Sequence, residues 1–171
     1  MIELVELEGD HSAAERAKLH DGEENAFQSS HLGLYWEDLE RRLVLLDDGR
    51  MIACAGLLVA DVTVLDSTFG VVGVGGVIVT HTRRGEGLAR RVMAGALDRA
   101  AQLGPAHALL FCRPDRAGLY AKLGFEHVRA PVEVGQPEGR RAAMPIDTMW
   151  RPLRDGATWP PGPVSLPGLP F

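Results

Sequence analysis

The sequence predicts an α+β (α/β) domain with one mixed, mostly antiparallel central sheet, splayed at a bulge and carrying helices on both faces. Three observations predict it. Apolar patterning along the 171 residues gives the element order βααβββαβαββ. Asp48-Gly49 between two apolar runs marks a tight antiparallel hairpin, because Asp-Gly readily supplies positive φ. The run Val71-Val-Gly-Val-Gly-Gly-Val-Ile-Val79 places glycines 73, 75 and 76 inside a strand, which weakens it unless its geometry needs them.

In chain order, Ile2–Leu7 reads as a short strand. Ser12 can cap a helix from about Ala13 to Phe27, and a second helical piece falls around Trp36–Arg42. Leu43–Leu46 and Met51–Leu65 flank the Asp-Gly turn, and Asp66–Thr68 turns into the strand Phe69–Val79. After Gly85, Leu88, Val92, Ala96 and Leu97 lie at helical spacing on one face. Strand Ala108–Cys112, helix Asp115–Leu123, strand Phe125–Val134 and a last strand of about Ala142–Trp150 complete the order. A bulge at the strand glycines would part Phe69–Val79 from Ala108–Cys112 and leave backbone groups unpaired.

Residues 1–150 form one domain by this reading, and 151–171 form a Pro-rich tail packed on it. Six of the last 20 residues are Pro, which excludes helix and central strand, while Trp159, Val164, Leu166, Leu169 and Phe171 argue against a free linker. The tail suits a wall of an acceptor pocket, a cap on the sheet or a homodimer contact.

A composition of 46% hydrophobic and 24% charged residues excludes global disorder, and the length supports one sizeable core. No apolar run reaches the length of a membrane span, and Met-Ile-Glu-Leu-Val-Glu at the start lacks a signal-peptide pattern, so a cytoplasmic protein without a membrane partner is expected. Cys54 and Cys112 stand in apolar contexts as buried, reduced thiols, and the six His show no metal spacing. The net charge of −5 is unevenly spread. Residues 1–48 hold 13 of the 23 acids and 4 of the 18 bases, whereas residues 83–129 hold 9 bases against 4 acids. The basic part suits a strongly anionic cofactor, and the acidic part suits a cationic acceptor or is a solvated face. No basic run interleaved with aromatics points to nucleic acid.

The turn after the valine strand, Thr80-His-Thr-Arg-Arg-Gly-Glu-Gly-Leu-Ala89, opens directly onto the amphipathic helix. The first turn of a helix leaves backbone N–H groups without intrahelical partners, and the macrodipole adds partial positive charge there. Gly85 and Gly87 let a ligand approach that backbone, and Arg83 and Arg84 add full charges, which makes a candidate pyrophosphate cradle. A P-loop would need Gly-Lys-Ser/Thr entering the helix. The dinucleotide fingerprint would need a Gly where Arg90 stands.

The spacing Arg84-x-x-Gly87-x-Ala89 after a strand resembles motif A of the GNAT acyltransferase superfamily, Q/R-x-x-G-x-G/A. The resemblance implies the GNAT fold, acetyl-CoA (coenzyme A) as cofactor, and contacts to it from Val77, Ile78, Val79, Arg84, Gly85, Glu86, Gly87, Leu88 and Ala89. It also implies that Val77 and Val79 bond to the pantetheine arm, with an N–H near Val77 polarising the thioester carbonyl. The segment Leu119-Tyr120-Ala-Lys-Leu-Gly-Phe125 is similar to motif B of that family. Tyr120 would then protonate the departing thiolate, a transfer from a phenol of pKa near ~10 to a thiol near ~8.5. The general base stays open among Glu133, Asp155 and Glu37; each is otherwise a surface carboxylate.

Within the superfamily, Tyr35-Trp36-Glu37, Met144-Pro145-Ile146-Asp147 and the Trp150 to Trp159 tail resemble the aminoglycoside 2′-N-acetyltransferases. The implied activity is N-acetylation of a small-molecule primary amine by direct transfer in a ternary complex; a peptide acetyltransferase and a non-catalytic acyl-CoA-binding module are the alternatives. Gly75 and Tyr35 depart from the acidic residues of those enzymes, and the chain runs 12 residues past Trp159, the tail position at which they end.

Overall fold

The computed structural model describes residues 1–9, 19, 32–39 and 41–171. The expected helix Ala13–Phe27 and its Ser12 cap lie outside the described residues except for Leu19, which is helical. Strands β1 (Ile2–Leu7), β2 (Arg41–Asp47), β3 (Arg50–Val64) and β4 (Ser67–Val79) form an antiparallel run, with Asp48-Gly49 turning β2 into β3. Helix α1 (Leu88–Ala100) leads to β5 (His107–Cys112), which pairs parallel to β4. A 3₁₀ turn at Pro114–Arg116 and the short α2 (Ala117–Ala121) then lead to β6 (Glu126–His127).

Proline reshapes the strands after α2. The expected strand Phe125–Val134 is two strands, β6 and β7 (Val132–Gly135), with Pro131 between them. The expected strand Ala142–Trp150 is likewise β8 (Arg141–Ala143) and β9 (Asp147–Pro152), interrupted at Pro145. A proline carries no N–H for a ladder, so each run breaks there. The β7–β8 hairpin thereby stands at one end of the sheet, while β6 and β9 continue it beyond β5 at the other.

The tail corrects the expectation that its prolines keep it out of the sheet. Val164–Leu166, the proline-free stretch between Pro163 and Pro167, forms β10 inside it. The strand order is β6-β9-β5-β4-β3-β10-β7-β8, with β2 and β1 beside the first half of β3. The 15-residue β3 is long enough to hold two neighbours on one edge, β2 up to Leu57 and β10 at Thr63 and Val64. The second helical piece expected at Trp36–Arg42 is absent among the described residues: residues 33–39 carry no regular secondary structure and β2 starts at Arg41.

Alternation along the strands sorts two faces. Leu43, Leu45, Val72, Val74, Leu110 and Met149 meet Leu88, Val92, Met93 and Ala96 of α1 on one of them. Burying side chains of this size stabilises the fold by about 1.5–3 kcal/mol each. On the opposite face Leu19 packs with Val44, Cys54 and Ile78, while Leu39, Val71, Leu109, Val164 and Phe171 form a second cluster. This is the GNAT architecture, with helical residues on both faces of a mixed sheet.

Candidate active site

The site begins at an irregularity in β4. Cys54 is opposite Ile78 and Gly56 is opposite Gly75, so Gly76 and Val77 together face only Ala55. That is a bulge, and Gly76 takes the left-handed φ of 58° it requires. Pairing between β4 and β5 covers Val72 to Val74 and stops at Leu110, so the strands part from Gly75 onward. The Thr80 N–H donates to the Ile52 carbonyl at 2.9 Å, which turns alternate residues 78 and 80 toward β3. Val77 and Val79 therefore direct their backbone groups into the gap.

The loop after β4 ends at the N-terminus of α1. Gly85 and Gly87 hold φ of 86° and 77°, and a Cβ on either would meet nothing within 4 Å, so the backbone borders open space. Helix α1 has no side-chain cap at Gly87 and no acid in its first turn. Its leading N–H groups and positive dipole end therefore face the opening, where a diphosphate fits.

The arginines depart from the sequence reading. Arg83 is neutralised by Asp47 at 2.9 Å and Glu86 at 2.8 Å. Its hydrogen bond holds the Asp47 carboxyl below the usual carboxylate range. Arg84 turns back, with Nε on the Val79 carbonyl at 3.3 Å and Nη1 3.2 Å from His81 Nδ1. Glu86 thus orders the loop through Arg83.

Tyr120 lies on α2, in the cluster that also holds Cys112 and against which Val77 and Val79 pack. The Leu123 and Phe125 N–H groups both donate to its carbonyl, at 2.9 and 3.1 Å, closing the Gly124-Phe125 corner onto the helix. Its ring meets Phe125 edge-on, with centroids 6.1 Å apart. Burial, and then the neighbouring Cys112, push the phenol up to about 12, against an opposing effect of Arg116. Burial, then Asp147 and Asp115, push the Cys112 thiol up to about 12 as well. Both groups hold their protons at neutral pH.

The structure thus brings Val77, Val79, the 84–89 loop and Tyr120 to one end of the gap. It does not bring Glu133 there. Glu133 is on β7 in register with Ser165 of β10, which pairs with Thr63 opposite Thr68, the far end of β4. Its carboxylate accepts from Arg141 Nε at 2.6 Å. Asp155 is exposed in the turn after β9. Glu37 is on the segment that borders the gap, where its N–H donates to the Pro170 carbonyl at 2.7 Å.

Sequence reasoning missed the face opposite α1. There a Cβ on Gly73 would stand 2.6 Å from the Phe171 ring, and one on Gly75 would stand 2.5 Å from Phe171 main chain and 3.0 Å from Leu39. The bare Cα atoms admit these groups, which is why no acidic side chain stands at 75. Phe171 also meets Phe111, centroids 5.1 Å apart, and Trp36 meets Phe111 edge-on at 6.4 Å. The Gly168 carbonyl accepts the Gly135 N–H at 3.0 Å, and Gln136 clasps the Tyr35 backbone at 2.9 and 3.1 Å. The tail and residues 35–39 are thus packed onto the sheet beside the bulge. The apolar residues of the Pro-rich tail and the glycines at 56, 73, 75 and 76 were the signals of this in the sequence.

A splayed sheet with an anion-ready loop at the mouth of its gap defines an acyl-CoA-dependent transferase. The chain belongs to the GNAT acetyltransferase family: the Acetyltransferase (GNAT) domain matches residues 18–128, well over half of it. It is an N-acetyltransferase of that family, and acetyl-CoA is the cofactor. No curated protein matches the sequence. Among solved structures it is similar to a GNAT family N-acetyltransferase (YhbS) from Escherichia coli in complex with CoA, at 23% identity, TM-score 0.62, covering 99% of this chain and 96% of that one. A GNAT family acetyltransferase from Brucella melitensis in complex with acetyl-CoA matches at 18% identity and TM-score 0.56, covering 95% and 94%. The ribosomal-protein-S18-alanine N-acetyltransferase from Escherichia coli matches at 19% and 0.55, covering 93% and 100%.

Proposed function

We propose that this acetyltransferase moves an acetyl group directly to a primary amine of a small molecule in a ternary complex. The observation that carries this reading is the bulge and what flanks it. The uncapped loop and the Val77 and Val79 backbone open the α1 side, and on the other side Leu39 and Phe171 pack over Gly73 and Gly75 beside Trp36 and Phe111. When bound, acetyl-CoA supplies an acyl group activated as a thioester.

Backbone N–H groups from Gly85 to Ala89 hold its diphosphate, with Arg84 beside them. Ile78, turned toward β3, keeps the strand straight while Val77 and Val79 offer N–H and carbonyl groups to the amides of the pantetheine arm. The N–H near Val77 is aimed at developing negative charge on the carbonyl oxygen. Tyr120 keeps its proton at neutral pH and delivers it to the departing sulfur. Of the three candidate carboxylates, only Glu37 stands on the segment packed beside the bulge, so we assign removal of the acceptor's proton to Glu37 through water.

A tail packed over the sheet beside the bulge favours a small acceptor over a peptide, which needs an open groove. Amino sugars of the aminoglycoside kind remain one class to test. The experiment is acetyl-CoA-dependent release of free thiol with amino sugars, polyamines, amino acids and peptides. Turnover of a small amine with one acetyl product per thiol is expected. Turnover of peptides alone, or acetyl-CoA binding without turnover of any amine, would overturn the reading.

A further inference from the structure

Arg42 is the one buried charged residue among those described, 8% exposed. Burying a guanidinium is expensive unless its N–H groups find acceptors, and a protein normally supplies them. Here the supply is thin. Nη2 reaches Asp38 Oδ1 at 3.3 Å, and that carboxylate is itself 65% exposed. Among the described residues no acceptor meets Nη1 or Nε of Arg42. Neither nitrogen is sealed from solvent either, since the Trp159 indole nitrogen is the one fully buried atom without a partner among the described residues.

The unmet Nη1 has a definite place. Arg42 of β2 is in register with Gly56 of β3, which is in register with Gly75 of β4. Nη1 stands 3.3 Å from where a Cβ of Gly76 would be. Gly76 is the bulge residue, and Val77, at the edge of the gap, is its neighbour at about 3.8 Å between Cα atoms. The cation therefore borders the point where the acceptor amine must arrive, on the face that holds Trp36, Phe111 and Phe171.

We propose that Arg42 binds a carboxylate of the acceptor and so determines specificity. The substrate class is a zwitterionic amine of α-amino-acid length, with an apolar side chain against the aromatic wall. The unmet Nη1 can donate a charge-assisted hydrogen bond to one oxygen of a carboxylate, whereas a polycationic acceptor would be repelled there. This rests on the small-molecule transfer reading. In that transfer the acceptor's ammonium first gives one proton to water, its nitrogen then bonds the acetyl carbon, the carbon–sulfur bond breaks, and the sulfur gains a proton as the nitrogen loses its second.

The test compares L-phenylalanine and L-leucine with their carboxamides, by kcat/KM and by calorimetric binding to protein saturated with coenzyme A. Wild type is expected to prefer the acids at least tenfold. Arg42→Gln should remove that preference while leaving the carboxamides unchanged, and Arg42→Lys should keep part of it. Thermal melts of both variants confirm folding, and the lysine variant serves if the glutamine variant unfolds. Equal handling of acid and carboxamide by wild type, or an undiminished preference in Arg42→Gln, would overturn the role of Arg42. Acetylation of amino sugars or polyamines without amino acids would overturn it too, yet leave the transfer reading standing. Absence of thiol release with any amine would fail that reading itself.

Discussion

The Phe171 ring rests on the bare Cα of Gly73, where a methyl group would come within 2.6 Å of Cε2 and 2.7 Å of Cζ. Gly73 pairs with Leu109 and is one residue short of the last β4–β5 pair, so the tail closes over the strand just before the gap opens. Gly73→Ala should displace the ring and destabilise the protein by about 1–3 kcal/mol, as overpacking does. Phe171→Ala should cost about 3 kcal/mol by leaving a cavity. Both changes act on the same ring, so the double variant should fall well short of their sum in denaturant melts. Additive losses would show that Phe171 does not depend on Gly73.

Glu133→Gln should leave kcat within about twofold of wild type, because a carboxylate at the far end of β4 cannot reach the gap. Its loss should be felt in stability alone. The Arg141 it pairs with also donates to Ser165 Oγ at 2.6 Å and the Leu166 carbonyl at 3.1 Å. Those contacts persist, so the destabilisation should stay within about 1 kcal/mol, as for other exposed ion pairs. A hundredfold fall in kcat would make Glu133 the base after all.

The gap and its loop were legible because each leaves a local mark. Glycines interrupt a valine strand, and an Arg/Gly turn opens onto an amphipathic helix. The Asp48-Gly49 hairpin was legible for the same reason. Trp36–Arg42 misled because its apolar spacing fits a helix, while the Tyr35 and Glu37 backbones are bonded instead to Gln136 and Pro170, partners more than 100 residues away in sequence. The packing of the tail on this face was illegible for a related reason. Phe171 and Leu39 meet over Gly75 only once the tail has joined the sheet, and three-residue β10, placed between prolines, carries no strand signal long enough to announce that.

Acid should unfasten β1. Burial alone would raise the Glu6 carboxyl, but hydrogen bonds from Arg41 and Arg99 outweigh it and hold the group below its ordinary value. A lowered native pKa means the contribution is present above the unfolded value of about 4.3 and is lost as pH falls through the native one. Arg41 is on β2 and Arg99 is on α1, so Glu6 ties the edge strand to both. Glu6→Gln should therefore melt below wild type at pH 7, and the two should converge below about pH 4. A constant difference across that range would assign the effect to packing.

Tyr120 gives the sharpest test of the proposed chemistry. Its phenol, raised to about 12 mainly by burial, is protonated throughout the neutral range, the state a proton donor needs. Tyr120→Phe should lower kcat by about 10²–10⁴ while acetyl-CoA still binds, since only the hydroxyl is lost from a ring that packs on Phe125. The pH profile carries the sign. A raised pKa extends the active, protonated form upward, so any fall in kcat owed to Tyr120 should lie near pH 12 rather than near the ordinary ~10. Cys112 adds to that elevation, so Cys112→Ala should bring the falling limb down toward 10 without touching the rate at neutral pH. Near-normal turnover of Tyr120→Phe would remove the phenol from the mechanism and leave sulfur protonation to solvent.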